Sequence, residues 1–190
     1  MRSLSLFDLT VENFSWHYWA MRIAVFCSAS TKIDDKYVDF AFEVGKAIAE
    51  QGWDVAWGGG TLSMMGSVSR GARSAGGKTF GVIPQKLIGK EFADEDATEL
   101  FITESMRSRK AMLEDLSDGF LILPGGIGTM EEFMEIWVAK HLGYHHKPIV
   151  VCDPFDFYKD LHTFLHSLKS EKFIGDAHDE LVKWASDIPA

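Results

Sequence analysis

Six short stretches rich in apolar residues alternate along the chain with segments whose apolar positions recur every three to four residues. Residues 21–27 (MRIAVFC), apolar apart from Arg22, have the pattern of a strand buried on both faces. Residues 34–51 carry Tyr37, Phe40, Ala41, Val44, Ala47 and Ile48 at helical spacing, and Gly52 stops the run. The same reading gives strands over 53–57, 78–83, 99–103, 119–123 and 147–152. It gives helices over 64–75, 105–117, 129–142, 155–168 and 176–186, and a loop over 84–96.

Strand and helix in strict alternation, with short connections, imply an α/β fold: a Rossmann-like, doubly wound parallel sheet with helices on both faces. Ligands of such sheets sit beyond the carboxyl ends of the strands. The loops after Cys27, Trp57 and Leu123 all follow strands, so they are expected to share one rim. No repeat, low-complexity tract or linker divides the chain. The expectation is one domain over residues 21–190 preceded by an arm, residues 1–20. The arm's Phe14, Trp16, Tyr18 and Trp19 suggest that it docks, although Met21 directly before the first strand also fits an upstream start codon.

Composition narrows the function. The 190 residues are 46% hydrophobic and 25% charged, enough for a full core, and the net charge is 19 − 28 = −9. Nucleic-acid binding needs a clustered positive face, so this balance argues against it while leaving room for a small anion in a local site. No apolar run approaches the ~20 residues needed to cross a bilayer. Asp8, Glu12, Asn13 and His17 interrupt any signal-peptide core, so no membrane partner is expected. Cys27 and Cys152 stand far apart, which fits a reducing cytoplasm and packing roles.

The chemistry gathers at residues 121–132 (LILPGGIGTMEE), where an apolar run ends in a glycine-rich turn and a helix begins. Backbone N–H groups of Gly125, Gly126, Ile127, Gly128 and Thr129 can approach a ligand closely there, and a helix N-terminus adds about half a positive charge. Such a cradle suits phosphate or carboxylate. A carboxylate beside it suits chemistry on a sugar phosphate or nucleotide. Thr129 and Glu132 also have the spacing of a capping box, with Thr129 as N-cap. Cap and catalyst both remain open for Glu132 at this point, and helix geometry lets only one of Glu131 and Glu132 face a cleft.

Other motifs are weaker. Gly58-Gly59-Gly60 follows a strand and precedes a helix without the GxGxxG spacing. Gly59 and Gly60 are expected to touch phosphate or ribose, with a tight packing turn as the plainer reading. Residues 72–79 match a relaxed Walker pattern, but a helix precedes and a strand follows, the reverse of a phosphate loop. Arg107, Arg109 and Lys110 spread around a helix, so at most part of that cluster turns inward. His162 and His166 lack a metalloprotease glutamate between them and look like surface residues, as His145 and His146 look like loop residues. No metal is expected.

Taken together, residues 23–30 (IAVFCSAS), 57–66 (WGGGTLSMMG), 80–87 (FGVIPQKL), 106–110 (MRSRK), 124–132 (PGGIGTMEE) and 142–148 (LGYHHKP) resemble, in order and spacing, the Lonely Guy family. The similarity runs from about Met21 to the C-terminus. Members of that family are cytokinin riboside 5′-monophosphate phosphoribohydrolases, often mislabelled lysine decarboxylases. The resemblance implies a homodimer that cleaves the N-glycosidic bond of a purine riboside 5′-monophosphate without a cofactor. It makes Arg109 and Glu132 the catalytic pair, completes an Arg–Lys pair with Lys110, and assigns the 125–129 loop to the phosphate. Ser28 stands where many members have Gly and Arg107 where many have His, which touches base preference more than reaction type. The alternative is a non-catalytic nucleotide or molybdenum-cofactor carrier, which would keep the glycine loops but need no Arg–Glu pair.

Overall fold

The computed structural model describes residues 20–175 and 177–188, so the expected docking of the aromatic arm lies outside the described residues. Strand β1 (Arg22–Phe26) forms where the apolar run predicts it, and so do β2 (Asp54–Trp57), β3 (Thr79–Pro84), β4 (Glu99–Thr103), β5 (Gly119–Ile122) and β6 (Ile149–Cys152). All pair in parallel, in the order β4-β3-β2-β1-β5-β6, and a seventh strand, β7 (Lys183–Ala185), closes the β6 edge. This is the Rossmann-like α/β sheet. The winding direction reverses between β1 and β5, and their carboxyl ends diverge there to leave a crevice.

Side chains of the central strands alternate between two apolar layers. Val25 of β1 and Leu121 of β5 face α1 (Asp35–Glu50) and α2 (Ser63–Ser74). Ala24, Phe26, Phe120 and Ile122 face the opposite layer, which holds Leu113 of α4 (Met106–Leu116) and Phe133, Ile136 and Trp137 of α5 (Ile127–His141). Burial on both faces is why these strands read as apolar runs rather than alternating ones.

Four local departures from the sequence reading have physical causes. Residues 84–96 contain a short 3-10 turn (Gln85–Leu87) and a one-turn helix, α3 (Ile88–Glu91), instead of loop alone. Helix α5 starts at Ile127, two residues before Thr129, because Gly126 takes the N-cap position. Helix α6 (Lys159–Ser170) starts later than residue 155, because the Asp153 carboxylate accepts N–H bonds from Phe155, Phe157 and Tyr158 and holds a turn there. The expected helix 176–186 shortens to α7 (Ala177–Leu181), and its remainder becomes β7, where edge pairing with β6 overrides a weak helical pattern.

Candidate active site

The glycine-rich turn of the candidate site lies at the crevice between β1 and β5. After β5 the chain runs through Leu123 and Pro124 into Gly125-Gly126, then directly into α5. The Met130 N–H donates to the Gly126 carbonyl (3.0 Å), so the amides of 127–129 have no partner within the helix. Gly126, Ile127 and Gly128 are exposed, Ile127 to 90%, whereas Thr129 is buried. The loop is fixed from beneath by Tyr158, whose hydroxyl donates to the Leu123 carbonyl at 2.9 Å. A cavity of about 200 Å³ adjoins it, with Pro124, Gly125 and Gly126 on one side and Ser28, Tyr37 and Met64 on the other. Ser28 is buried at the end of β1, and its hydroxyl accepts the Ser30 N–H (3.1 Å).

With Gly126 as N-cap, Thr129 is the third helical residue and Glu132 lies in the second turn. The capping-box reading is therefore corrected, and Glu132 has no capping role. A capping box does exist one helix earlier, between Ser105 and Ser108 at the start of α4. Among the described residues the Glu132 carboxylate accepts no hydrogen bond. Burial pushes its carboxyl up to about 7; Arg109 and Lys110 oppose the rise, while Glu131 and Glu91 add to it. The Cys27 thiol at the end of β1 is driven upward first by burial and then by the Glu132 charge, which places that carboxylate at the crevice.

Arg109 comes from α4 and is 5% exposed. Its Nη2 donates to the Gly58 carbonyl (3.0 Å) and lies 3.4 Å from Glu91 Oε2, while its Nε is buried with no partner. Lys110 points elsewhere, into ion pairs with Glu131 and with Glu135 (2.7 Å) on the flank of α5. Arg107 is exposed. Of the three cations, one therefore turns inward, as helix geometry requires.

Gly59 and Gly60 do not line the cavity beside the 125–126 turn. Both are buried under residues 88–94: the Asp94 N–H donates to the Gly59 carbonyl (2.9 Å), and Gly60 bridges to Ala93. At Gly58 a Cβ would stand 1.8 Å from Arg109 Nη2, so a larger residue there would displace the guanidinium. The loop packs closely against Arg109 and the 88–94 segment. His162 and His166 are exposed on α6, and His145 is a buried loop residue bonded to the Ile136 carbonyl (2.8 Å). Among the described residues no three side chains gather as metal ligands. Sequence reasoning missed Glu91, Tyr158 and Asp153: none belongs to a motif, and Tyr158 reads only as part of the expected helix 155–168.

A parallel sheet with a glycine-rich helix tip at its switch point defines a Rossmann-like α/β protein. A family model described as "Possible lysine decarboxylase" matches residues 65–190, and the chain belongs to that family, the Lonely Guy family. It is 45% identical over 152 residues, 80% of this chain and 81% of the relative, to the cytokinin riboside 5′-monophosphate phosphoribohydrolase of Mycobacterium tuberculosis. It is 38% identical, over 89% of this chain and 74% of the relative, to a probable cytokinin riboside 5′-monophosphate phosphoribohydrolase of Oryza sativa subsp. japonica. Among solved structures it resembles the Moco carrier protein from Chlamydomonas reinhardtii, with a TM-score of 0.68 and 27% identity over 89% of this chain and 91% of that one.

Proposed function

We propose that this protein hydrolyses the N-glycosidic bond of a purine riboside 5′-monophosphate, of AMP or cytokinin type, releasing free base and ribose 5-phosphate. The observation that carries the reading is Glu132: a carboxyl near neutrality, unbonded, in the second turn of a helix whose open tip suits a phosphate. Relatives 32–45% identical bear the name of that activity, which supports it.

Bond cleavage builds positive charge on the ribose ring and negative charge on the departing base. Ionised Glu132 stabilises the first and takes a proton from the attacking water, whose oxygen bonds to the anomeric carbon. Arg109 stabilises the charge on the base, which leaves with the glycosidic electron pair and takes up a proton. The amides of 126–129 hold the 5′-phosphate, with Gly125 and Thr129 shaping the turn, and that remote binding fixes the ribose against Glu132. We assign the catalytic unit to residues 21–190, acting in the cytoplasm as a homodimer. Two unpaired buried cysteines support the reducing compartment.

The test is release of adenine from AMP. Glu132→Gln is expected to lower kcat by at least ~10³-fold while AMP still binds, and the wild type is expected to act far more slowly on adenosine than on AMP. Unchanged turnover in the variant would remove Glu132 from the mechanism. A carrier protein, the reading favoured by the structural neighbour, would bind nucleotide without releasing base.

A further inference from the structure

A guanidinium as enclosed as that of Arg109 needs a counter-charge, because a buried charge without one is costly. Glu132 does not bond to it. The bonded acid is Glu91 on α3, whose Oε2 lies 3.4 Å from Nη2, with the two side chains 20% and 6% exposed. The backbone around Glu91 is held in several places. The Thr61 N–H donates to the Glu91 carbonyl (3.2 Å) and to that of Phe92 (2.9 Å), and the Thr61 hydroxyl reaches the Phe92 carbonyl as well (2.9 Å). Phe92 takes a left-handed conformation (φ 51°) to turn the chain immediately after Glu91, a strained state for a bulky residue that persists only where its surroundings impose it.

We propose that Glu91 is the positioning residue of this site: its carboxylate pins the Arg109 guanidinium against the Gly58 carbonyl and keeps it from pairing with Glu132. The proposal rests on reading Glu132 and Arg109 as the reacting pair, and it adds a division of labour between two acids. One carboxylate neutralises the arginine; the other stays unpaired and free to meet a ribose. Were Arg109 to bond Glu132 directly, that carboxyl would be held low and its lone pairs would be engaged. The charged or titratable groups facing Glu132 are Arg109 and Lys110 from α4, Glu131 from its own helix, Glu91 from α3 and the Cys27 thiol at the end of β1. Removing the Glu91 charge acts on Glu132 in one direction, since a like charge disappears and the guanidinium becomes free to approach.

The experiment compares wild type, Glu91→Gln and Glu91→Asp in the full chain, with AMP as substrate and with the Glu132 carboxyl followed by carbon-13 NMR. Glutamine fills the same space, and the main-chain bonds around position 91 do not depend on its charge. For Glu91→Gln the expected result is a kcat at least ~10-fold lower with KM little changed. The Glu132 titration, and with it the acid limb of kcat/KM, is expected to move to lower pH. Glu91→Asp should restore part of the rate and return the titration toward wild type. Unchanged kcat with an unchanged titration overturns the proposal. So does a loss of rate and melting temperature with the Glu132 titration left in place, which marks a merely structural residue. If the wild type releases no adenine, the hydrolase reading fails on its own, and the Glu132 titration still decides whether Glu91 controls the pair.

Discussion

At the scale of single residues, the position of Glu132 links activity and stability to the same proton. Its carboxyl is raised from 4.5 to about 7, chiefly by burial. A folded state that binds a proton more tightly than the unfolded chain is favoured at low pH, so this contribution is complete below about 4.5 and is lost as pH rises through 7. Holding a proton one pH unit more tightly is worth about 1.4 kcal/mol, and residual contact with solvent reduces the whole contribution to the order of 2 kcal/mol. Glu132→Gln carries no such titration. Relative to wild type, the variant is expected to gain thermal stability as pH climbs from 4.5 to 7, with a constant margin above that. Melting curves across this range provide the check, and a margin that does not vary with pH would mean the carboxyl is not desolvated. In the mechanism we propose the working form is the carboxylate, so wild-type kcat/KM should rise with pH through about 7. The residue is thus held in an environment that lowers stability at the pH where it works, a common cost of active sites.

Among the elements, the tightest contact is between α1 and α2, and it is made by two glycines. A Cβ at Gly71 would lie 2.0 Å from the Phe42 carbonyl oxygen, and one at Gly45 would lie 2.0 Å from that of Val68. Both obstacles are backbone, so neither can rotate away, and the helices would have to separate. Gly71→Ala is expected to cost about 2 kcal/mol despite its better helix propensity, lowering the melting temperature by roughly 5–8 °C. An unchanged melting temperature would show that the helices do not approach this closely. The glycines of the 58–60 turn illustrate why such contacts escape a sequence reading. Three in a row announce a close approach, but the partners, Arg109 and the 88–94 segment, are distant in the chain, so a ligand is the natural expectation. Six strands are legible because each carries a short apolar run, which burial on both faces produces in the central ones; the edge strand β4 shows it although Ile102 is 56% exposed. β7 is not: Lys183, Trp184 and Ala185 are too few to show a period of two, and only pairing with β6 makes them a strand. The start of α5 is misread because Thr129 is a better N-cap by residue type than Gly126. That misreading leaves open a capping role for Glu132 which the helix does not give it. Arg109, Glu132 and the 125–129 turn are legible as a motif. Glu91 is not, since nothing periodic marks residues 84–96.

For the whole molecule, the remaining question is what covers α5. Ile127, Val138 and Leu142 are 90%, 55% and 62% exposed. At 100° per residue Val138 stands about 20° around the axis from Ile127, and Leu142 about 40° further, so the three form one stripe. Tyr144, 80% exposed just beyond the helix, extends it. Scattered exposed apolar residues need no explanation, but a stripe of them along one helix marks an interaction face. The stripe begins at the tip that we propose holds the phosphate; Glu131, about 40° around the axis from Ile127, interrupts it, Glu135, about 80° around, lies on its flank, and both pair with Lys110. A twofold pairing of α5 helices would cover it with a self-complementary surface, and this is the homodimer we propose. It predicts that the protein in solution has twice the 21.3 kDa mass of the chain, and that Val138→Arg, placing like charges face to face across the axis, yields a monomer. Light scattering on both proteins decides the matter. A wild-type monomer, or a variant that stays dimeric, would assign the stripe another role. Because the same helix supplies both stripe and anion-binding tip, the separated variant is also expected to bind AMP more weakly while Glu132 keeps its titration near 7. Loss of that titration instead would mean that the substitution had disturbed the fold of α5 rather than its partner.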